Sequence, residues 1–247
     1  LSATVTKKNE NTIVTLRQRS GNLKRLYRGK TKDLFLFAED RLLLYFKDSV
    51  TGTGDCLDPG GNEVVGKVTG KGNASLRLSV FFFELLEQAG IPTHYLGPGP
   101  VENSLLVKRA RSFGLEVICR EKAWGSFLHR YGRYVTAGEP LPSLVEFTLK
   151  DDDRGDPPIT GETLAALKIA SPEAISYMEQ TARRATTLIK EQIAPKGLEL
   201  IDIKYEFGES DGRILLIDEI SGDSMRVLRD DRVLLPDEPA AVILDQP

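Results

Sequence analysis

Asp202, Lys204 and Glu206 alternate with Ile201, Ile203, Tyr205 and Phe207 in the run "IDIKYEF", and Asp218 and Glu219 close the next run, "RILLIDE". Successive side chains of a strand point to opposite faces. The three charged residues therefore share one face and the four apolar residues the other. "ESDGR" between the runs supplies turn residues, so the two runs read as a β-hairpin. Alternating charges fit a solvated face on a half-exposed sheet. They also fit a metal or phosphate site, because the apolar run Ile214 to Ile217 implies burial on both faces. Acids at the edge of a buried strand are costly unless paired or metal-bound. Oxygen ligands suit a hard cation, so Glu206 and Asp218 are candidates for holding Mg²⁺. Register is the condition. A two-residue Asp211-Gly212 loop pairs Glu206 with Ile217 and turns Asp218 towards the Tyr205 face. A shared cation requires a loop with an odd number of residues, or a bulge near Asp218.

A second candidate lies in "YRGKTKDLF", Tyr27 to Phe35. Gly29 permits close backbone approach, and Lys30 and Lys32 offer two ammonium groups between strands. That pattern suits a triphosphate, although lysines in turns are more often simply solvated. An ATP site also needs acids that hold Mg²⁺, which returns the argument to Glu206 and Asp218.

The elements that must position these groups are those of an α+β chain of 247 residues, enough for one large domain or two lobes. "NTIVTLRQ", "LKRLYRG", "KDLFLFAE" and "RLLLYFK" read as an antiparallel meander, and the Gly-rich "TGTGDCLDPGGNE" as a loop. "KGNASLRLSVFFFELLEQAGI" reads as a helix with an apolar stripe of Leu78, Phe81, Phe82, Leu85 and Leu86, closed by Gly90. "SLLVKRA" and "LEVICRE" are strands, "GSFLHRYG" is a short helix, and "LPSLVEFTLKDDDRGDPPIT" is a strand followed by a loop. A strong helix starts at Ser171-Pro172 and buries Ile175, Met178, Ala182, Ala185, Ile189 and Ile193. After Arg226 the chain is expected to be short and irregular. The expected division is a β-rich lobe over residues 1–100 and a larger α+β lobe over 101–247, with the change near "HYLGPGPVEN". Hydrophobic content of 40% and a net charge of −3 are ordinary for a globular protein and leave no nucleic-acid footprint. No apolar run reaches the length of a membrane span, and the polar start lacks a signal-peptide core. Cys56 and Cys119 stand far apart and make no CxxC pair, which fits a reducing, cytoplasmic setting.

Six segments in order, "YRGKTKDLF", "GIPTHYL", "LEVICREKAWGS", "LKDDDRGDP", "IDIKYEFGE" and "LIDEISGDSMR", resemble the SAICAR synthetase family, the ATP-dependent amide ligases of purine biosynthesis. The resemblance implies a β-rich ATP-binding lobe beside an α+β lobe, with the active site in the cleft between them. It implies Lys30 and Lys32 beside the ATP phosphates, Lys150 lining the nucleotide site, and Mg²⁺ on Glu206 and Asp218. Arg120, Ser126, Asp202, Lys204 and Arg226 would take a phosphorylated imidazole carboxylate, with Lys30, Lys204 and Asp202 nearest the chemistry. The implied partners are small molecules, the azole ribonucleotide and L-aspartate or another amine, with no nucleic acid and no membrane, and with a homodimer left open. The chain departs from the family pattern at Ser75, Leu76, Glu121, Gly222 and Met225, and has Ser49 and Thr51 near an acidic residue and a serine of the family. Its C-terminal part is short, with Arg232 the one candidate for a later basic residue. The departures leave open a relative that joins another acid to another amine, as in nucleoside-like secondary metabolism. A small-molecule kinase and a non-catalytic nucleotide-binding protein are the remaining readings.

Overall fold

A computed structural model describes residues 23–54, 56–58, 61 and 63–244. The expected strand "NTIVTLRQ" lies outside them. The chain opens with the antiparallel strands β1 (Lys24–Arg28), β2 (Lys32–Ala38) and β3 (Arg41–Phe46). The Gly-rich stretch then departs from expectation. It is not a loop but contributes to a small sheet of β4 (Ser49–Thr53), β5 (Cys56–Leu57) and β6 (Glu63–Lys67), ordered β5-β4-β6. A backbone ladder needs no apolar side chains, and the glycines permit close approach. A Cβ on Gly61 would lie 2.3 Å from the Gly52 carbonyl oxygen.

Helix α1 (Lys71–Gln88) buries Leu78, Phe82, Phe83 and Leu86. Phe83, not Phe81, completes the stripe; Phe81 and Leu85 pack at its margin. Gly90 ends the helix at φ 75°, as a glycine past a helix C-terminus can without a Cβ clash. Strands β7 (Tyr95–Pro98) and β8 (Ser104–Lys108) return to the first sheet, whose order is β1-β2-β3-β8-β7. The expected division at residue 100 therefore falls before the last strand of this sheet, and the chain leaves for the second sheet only after Lys108.

The second sheet is built on two long strands, β9 (Arg111–Lys122) and β12 (Glu199–Ser210). Between them in sequence come α2 (Gly125–Tyr131), β10 (Pro140–Leu149), β11 (Pro158–Ile159), α3 (Gly161–Ala166) and α4 (Pro172–Ile193). The Ser171 side chain accepts the Ala174 N–H, so α4 starts where a cap and Pro172 direct it. All six residues of its expected apolar face are buried. After β12 come β13 (Arg213–Ile217), β14 (Met225–Arg229), β15 (Arg232–Val233) and α5 (Glu238–Ile243). The stretch after Arg226 is thus ordered, against expectation. The sheet runs β11-β10-β9-β12-β14-β15, with β13 paired to β12.

Strand alternation then separates core from site. Val117 and Cys119 of β9 and Ile203, Tyr205 and Phe207 of β12 lie in one core with Met178, Ala182, Ala185 and Ile189 of α4. The same core takes in Leu42 and Leu44 of β3 and Leu105 of β8, which joins the two sheets. The opposite face carries Glu116 and Arg120 of β9 against Asp202, Lys204 and Glu206 of β12, in the register Asp202↔Arg120 and Glu206↔Glu116. No helix among the described residues is long and apolar enough to cross a membrane.

Candidate active site

The polar face opens on a cleft of about 920 Å³ whose walls come from both large sheets and the small one. Lys30, Lys32, Lys150, Lys204, Glu206 and Asp218 line it, and so do Arg120, Ser126, Asp202 and Arg226. These ten residues, expected from the sequence to bind nucleotide, metal or acid, therefore reach one space.

At one end, ammonium groups and carboxylates alternate. Lys32, the first residue of β2, contacts Glu219 and lies 3.2 Å from Asp218 Oδ2. Lys150, just past β10, donates to Glu206 Oε1 at 2.5 Å, and Lys204 donates to Glu116 Oε1 at 2.6 Å. Burial alone would lower the lysines, but the acids around them more than reverse it, so Lys32, Lys150 and Lys204 are all raised and stay charged. Burial pushes Asp218 up, yet Lys32, Lys150 and Lys204 bring it down to about 2. Glu206 is raised, by burial first and then by the Asp218 carboxylate, against the pull of Lys150 and Lys204. Lys30 is more exposed and pairs with Asp152 Oδ1 at 2.9 Å.

The hairpin register differs from the one a shared cation was expected to need. Ser210 pairs with Arg213 and Glu206 with Ile217, so the loop is the two-residue Asp211-Gly212 turn, at φ 51° and 69°. No odd loop is present. The ladder ends at Ile217, and Asp218 takes φ 69°, which turns its carboxylate into the cleft with Glu206 rather than beside Tyr205. Tyr205 is fully buried on the other face, its hydroxyl 3.0 Å from Thr186 Oγ1. Asp202 and Glu206 are 3% and 5% exposed, so the charges do not form a solvated face. The described residues hold no group of three or more His, Cys, Asp and Glu suited to a metal. Two carboxylates suffice for Mg²⁺, which keeps several waters and shares its shell with substrate phosphates. Glu206 and Asp218 fit that donor set, with the ammonium groups of Lys32, Lys150 and Lys204 around them.

At the other end, Asp202 bridges two guanidinium groups. It accepts from Arg120 Nη1 at 3.0 Å and from Arg226 Nη1 at 2.8 Å. Arg120 also donates to Glu146 at 2.6 Å and to Ser126 Oγ at 3.0 Å. Arg226 donates from Nε and Nη2 to Asp58 Oδ1, at 3.0 and 2.7 Å. Gly125, at φ 50°, lets the guanidinium lie close: a Cβ there would sit 2.9 Å from Arg226 Nη2. Sequence reasoning missed Asp58, Glu146 and His94. Asp58 sits in a stretch read as a loop, and the partners of Glu146 are distant in sequence. His94 carried a signal in "GIPTHYL" but no assigned part. Its Nε2 lies 3.1 Å from the Asp218 carbonyl, and burial holds its pKa down to about 4.

Several departures from the family pattern are explained by position. Glu121 does not face the cleft; it lies on the opposite face, accepting from Lys190 at 2.5 Å and Ser143 at 2.8 Å. Leu76 packs against the core. Ser75 and Lys71 both donate to Asp223 Oδ2, at 3.1 and 2.6 Å, and so hold from behind a carboxylate that lines the cleft. Gly222 is required by the C-terminal segment, since a Cβ there would lie 1.9 Å from the Pro236 carbonyl oxygen. Ser49 and Thr51 are buried in β4, and the Thr51 hydroxyl donates to the Asp58 carbonyl at 3.2 Å. Arg232 pairs with Glu238 at 2.8 Å and does not line the cleft, so it is no substitute for a site residue. Met225 does line it.

The model of the SAICAR synthetase family matches residues 25–240. The phosphoribosylaminoimidazole-succinocarboxamide synthase of Clostridium tetani (strain Massachusetts / E88) is 45% identical over 224 residues, covering 89% of this chain and 99% of the relative. The enzyme of that name from Aquifex aeolicus (strain VF5) is 38% identical, over 83% of this chain and 92% of its own. Among solved structures, a SAICAR synthetase (Type-2) in complex with ADP superposes with a TM-score of 0.77 at 35% identity, covering 85% of this chain and 88% of the other. SAICAR synthetase (Type-1) from Pyrococcus horikoshii OT3 does so at 0.78 and 32% identity, covering 87% and 99%.

Proposed function

This chain belongs to the SAICAR synthetase family, and on that premise we propose that it is an ATP-dependent amide ligase of purine biosynthesis, joining a phosphoribosyl aminoimidazole carboxylate to the amine of L-aspartate. The observation that carries the reading is the gathering of Lys32, Lys150 and Lys204 around the Glu206/Asp218 pair at one end of a cleft whose other end holds Arg120 and Arg226. In this reading Lys30, Lys32 and Lys150 bind the ATP phosphates, and Glu206 and Asp218 hold Mg²⁺. When bound, Mg²⁺ neutralises charge on the phosphate oxygens. Arg120, Arg226 and Ser126 take the acid substrate's anionic groups, and Asp202 and Lys204 orient it between them.

The reaction asks little covalent work of the protein. A carboxylate oxygen attacks the γ-phosphorus, the bond to the β,γ-bridging oxygen breaks, and ADP leaves. The aspartate amine then attacks the acyl carbon, the C–O bond breaks, phosphate departs and the amine loses a proton. The side chains contribute position and charge. A cytoplasmic setting goes with this reading, supported by the absence of a disulfide pattern in the sequence, and a homodimer is compatible with it. Phosphate release from ATP with the imidazole carboxylate, with and without L-aspartate, tests the proposal. Release that needs the amine supports it. Phosphoryl transfer without any amine would make the protein a kinase, and no turnover over a panel of azole carboxylates and amines would reject both.

A further inference from the structure

The two-residue hairpin loop sets a problem that the chain solves locally. With Glu206 opposite Ile217, a continuing strand would place Asp218 on the Tyr205 face. Asp218 instead adopts φ 69°, a conformation that L-residues other than glycine take at a cost. Such a residue persists only when its surroundings over-determine it.

Those surroundings come from the first lobe, through Pro92 to His94. Leu216 N–H donates to the Pro92 carbonyl at 3.0 Å, and His94 N–H donates to the Leu216 carbonyl at 3.0 Å. Thr93 and Leu216 make a parallel bridge. The His94 carbonyl in turn accepts from Lys108 N–H at 2.7 Å, which ties the segment to the end of β8. The backbone of His94 is thereby fixed on both sides, and its ring packs edge-on to Phe83 of α1 at 5.5 Å. From that position Nε2 lies 3.1 Å from the Asp218 carbonyl oxygen. A carbonyl only accepts, so Nε2 carries the proton and donates.

We infer that His94 is a positioning residue for the Asp218 carboxylate: by holding the Asp218 carbonyl, it keeps the peptide turned so that the side chain enters the cleft beside Glu206. His94 also lines the cleft, but the part assigned to it runs through the Asp218 carbonyl and not through contact with nucleotide or acid. The inference rests on the reading of Glu206 and Asp218 as Mg²⁺ ligands. It also gives "GIPTHYL" a specific task, since this segment of the first lobe sets the ligand geometry on the second.

The test uses Mn²⁺ as a paramagnetic probe, its binding to the ADP-loaded full chain read by electron paramagnetic resonance. His94→Phe and His94→Leu both remove the donor, and using two guards against one that folds poorly. Each should weaken Mn²⁺ binding by about 10–100-fold, the usual effect of losing an outer partner of a ligand. ADP binding without metal should stay at the wild-type value, which a general loss of structure would not allow. His94→Gln, whose amide nitrogen reaches the Nε2 position, should bind Mn²⁺ like wild type. Glu206→Gln and Asp218→Asn separate the two levels of the argument. If they lose Mn²⁺ while the Phe and Leu variants keep it, the part assigned to His94 is wrong and the metal reading stands. If they bind Mn²⁺ like wild type, the metal reading fails and this inference with it. A Gln variant as weak as Phe would show that restoring the donor does not restore the site, and would also overturn it.

Discussion

Arg120 is 1% exposed and satisfied by Glu146, Asp202 and Ser126, while Lys30 reaches Asp152 at the mouth of the cleft. The same substitution therefore has different consequences at the two sites. Removing one partner of a buried ion pair typically costs about 3–5 kcal/mol, because the other charge stays behind. Arg120→Ala should lose stability of that order in a denaturant titration, as well as affinity for the acid substrate. Arg226→Lys keeps the charge but not the fork that holds Asp58 and Asp202. It should raise KM for the acid by about tenfold, roughly 1.4 kcal/mol, and leave KM for ATP unchanged. A loss of ATP affinity instead would invert the assignment of the two ends of the cleft. Lys30→Ala removes a partly exposed pair with Asp152, worth about 0–1 kcal/mol. Its melting temperature should hold while nucleotide turnover is abolished. His94 carries a pH signature. Its folded pKa is about 4 against an ordinary value of 6.5, burial being the main cause, with Asp218 opposing and Lys32 adding to it. The unfolded imidazole takes up a proton that the folded one refuses, so this contribution is complete above pH 6.5 and is lost as pH falls through 4. It amounts to about 3 kcal/mol at most. The ligand-free His94→Phe chain should lose less stability over that interval than wild type.

At the scale of elements, the hairpin and α4 were legible because their signals are local. Asp211-Gly212 dictates a two-residue turn through two left-handed residues, and the structure has it. A shared metal alone would ask for an odd loop, and the local turn signal prevails over that demand. Asp218 satisfies both demands by leaving the ladder one residue later. The Gly-rich stretch and the C-terminal segment were misread because their strands pair through backbone, with short partners and little apolar periodicity to announce them. Gly222 shows how such a segment leaves a mark on a distant motif. The Pro236 carbonyl occupies the space a side chain would need. Gly222→Ala should therefore push the 232–243 segment off β14. Hydrogen exchange should rise in β15 and α5 while remaining unchanged in α4. Unchanged protection across 232–243 would mean that the segment adapts without loss.

At the scale of the molecule, one hydrophobic core runs from β3 and β8 through α1 to β9, β12 and α4, so both sheets should unfold together in one cooperative transition. Ligand bound in the cleft should stabilise the whole chain. With ADP and Mg²⁺ at about a hundred times their dissociation constant, the gain is about 2.7 kcal/mol by mass action. Glu206→Gln should abolish the part of the shift in melting temperature that depends on Mg²⁺, and an undiminished shift would count against the metal assignment. What the sequence by itself determined is whatever depends on neighbours along the chain. That includes the alternation that puts Asp202, Lys204 and Glu206 on one face, the capped helix α4, the two-residue turn, and the ordered motifs that mark the family. Tertiary structure alone decided what depends on contacts between distant segments. It placed Lys32 against Asp218 and Glu219, closed Asp58 on Arg226, and paired Glu121 with Lys190. It also brought His94, from the segment between α1 and β7, to the turn at Asp218. The physical reason is common to all four. A charge or hydrogen bond has its effect over a few ångströms of space, whereas these partners stand from 69 to 187 residues apart along the chain.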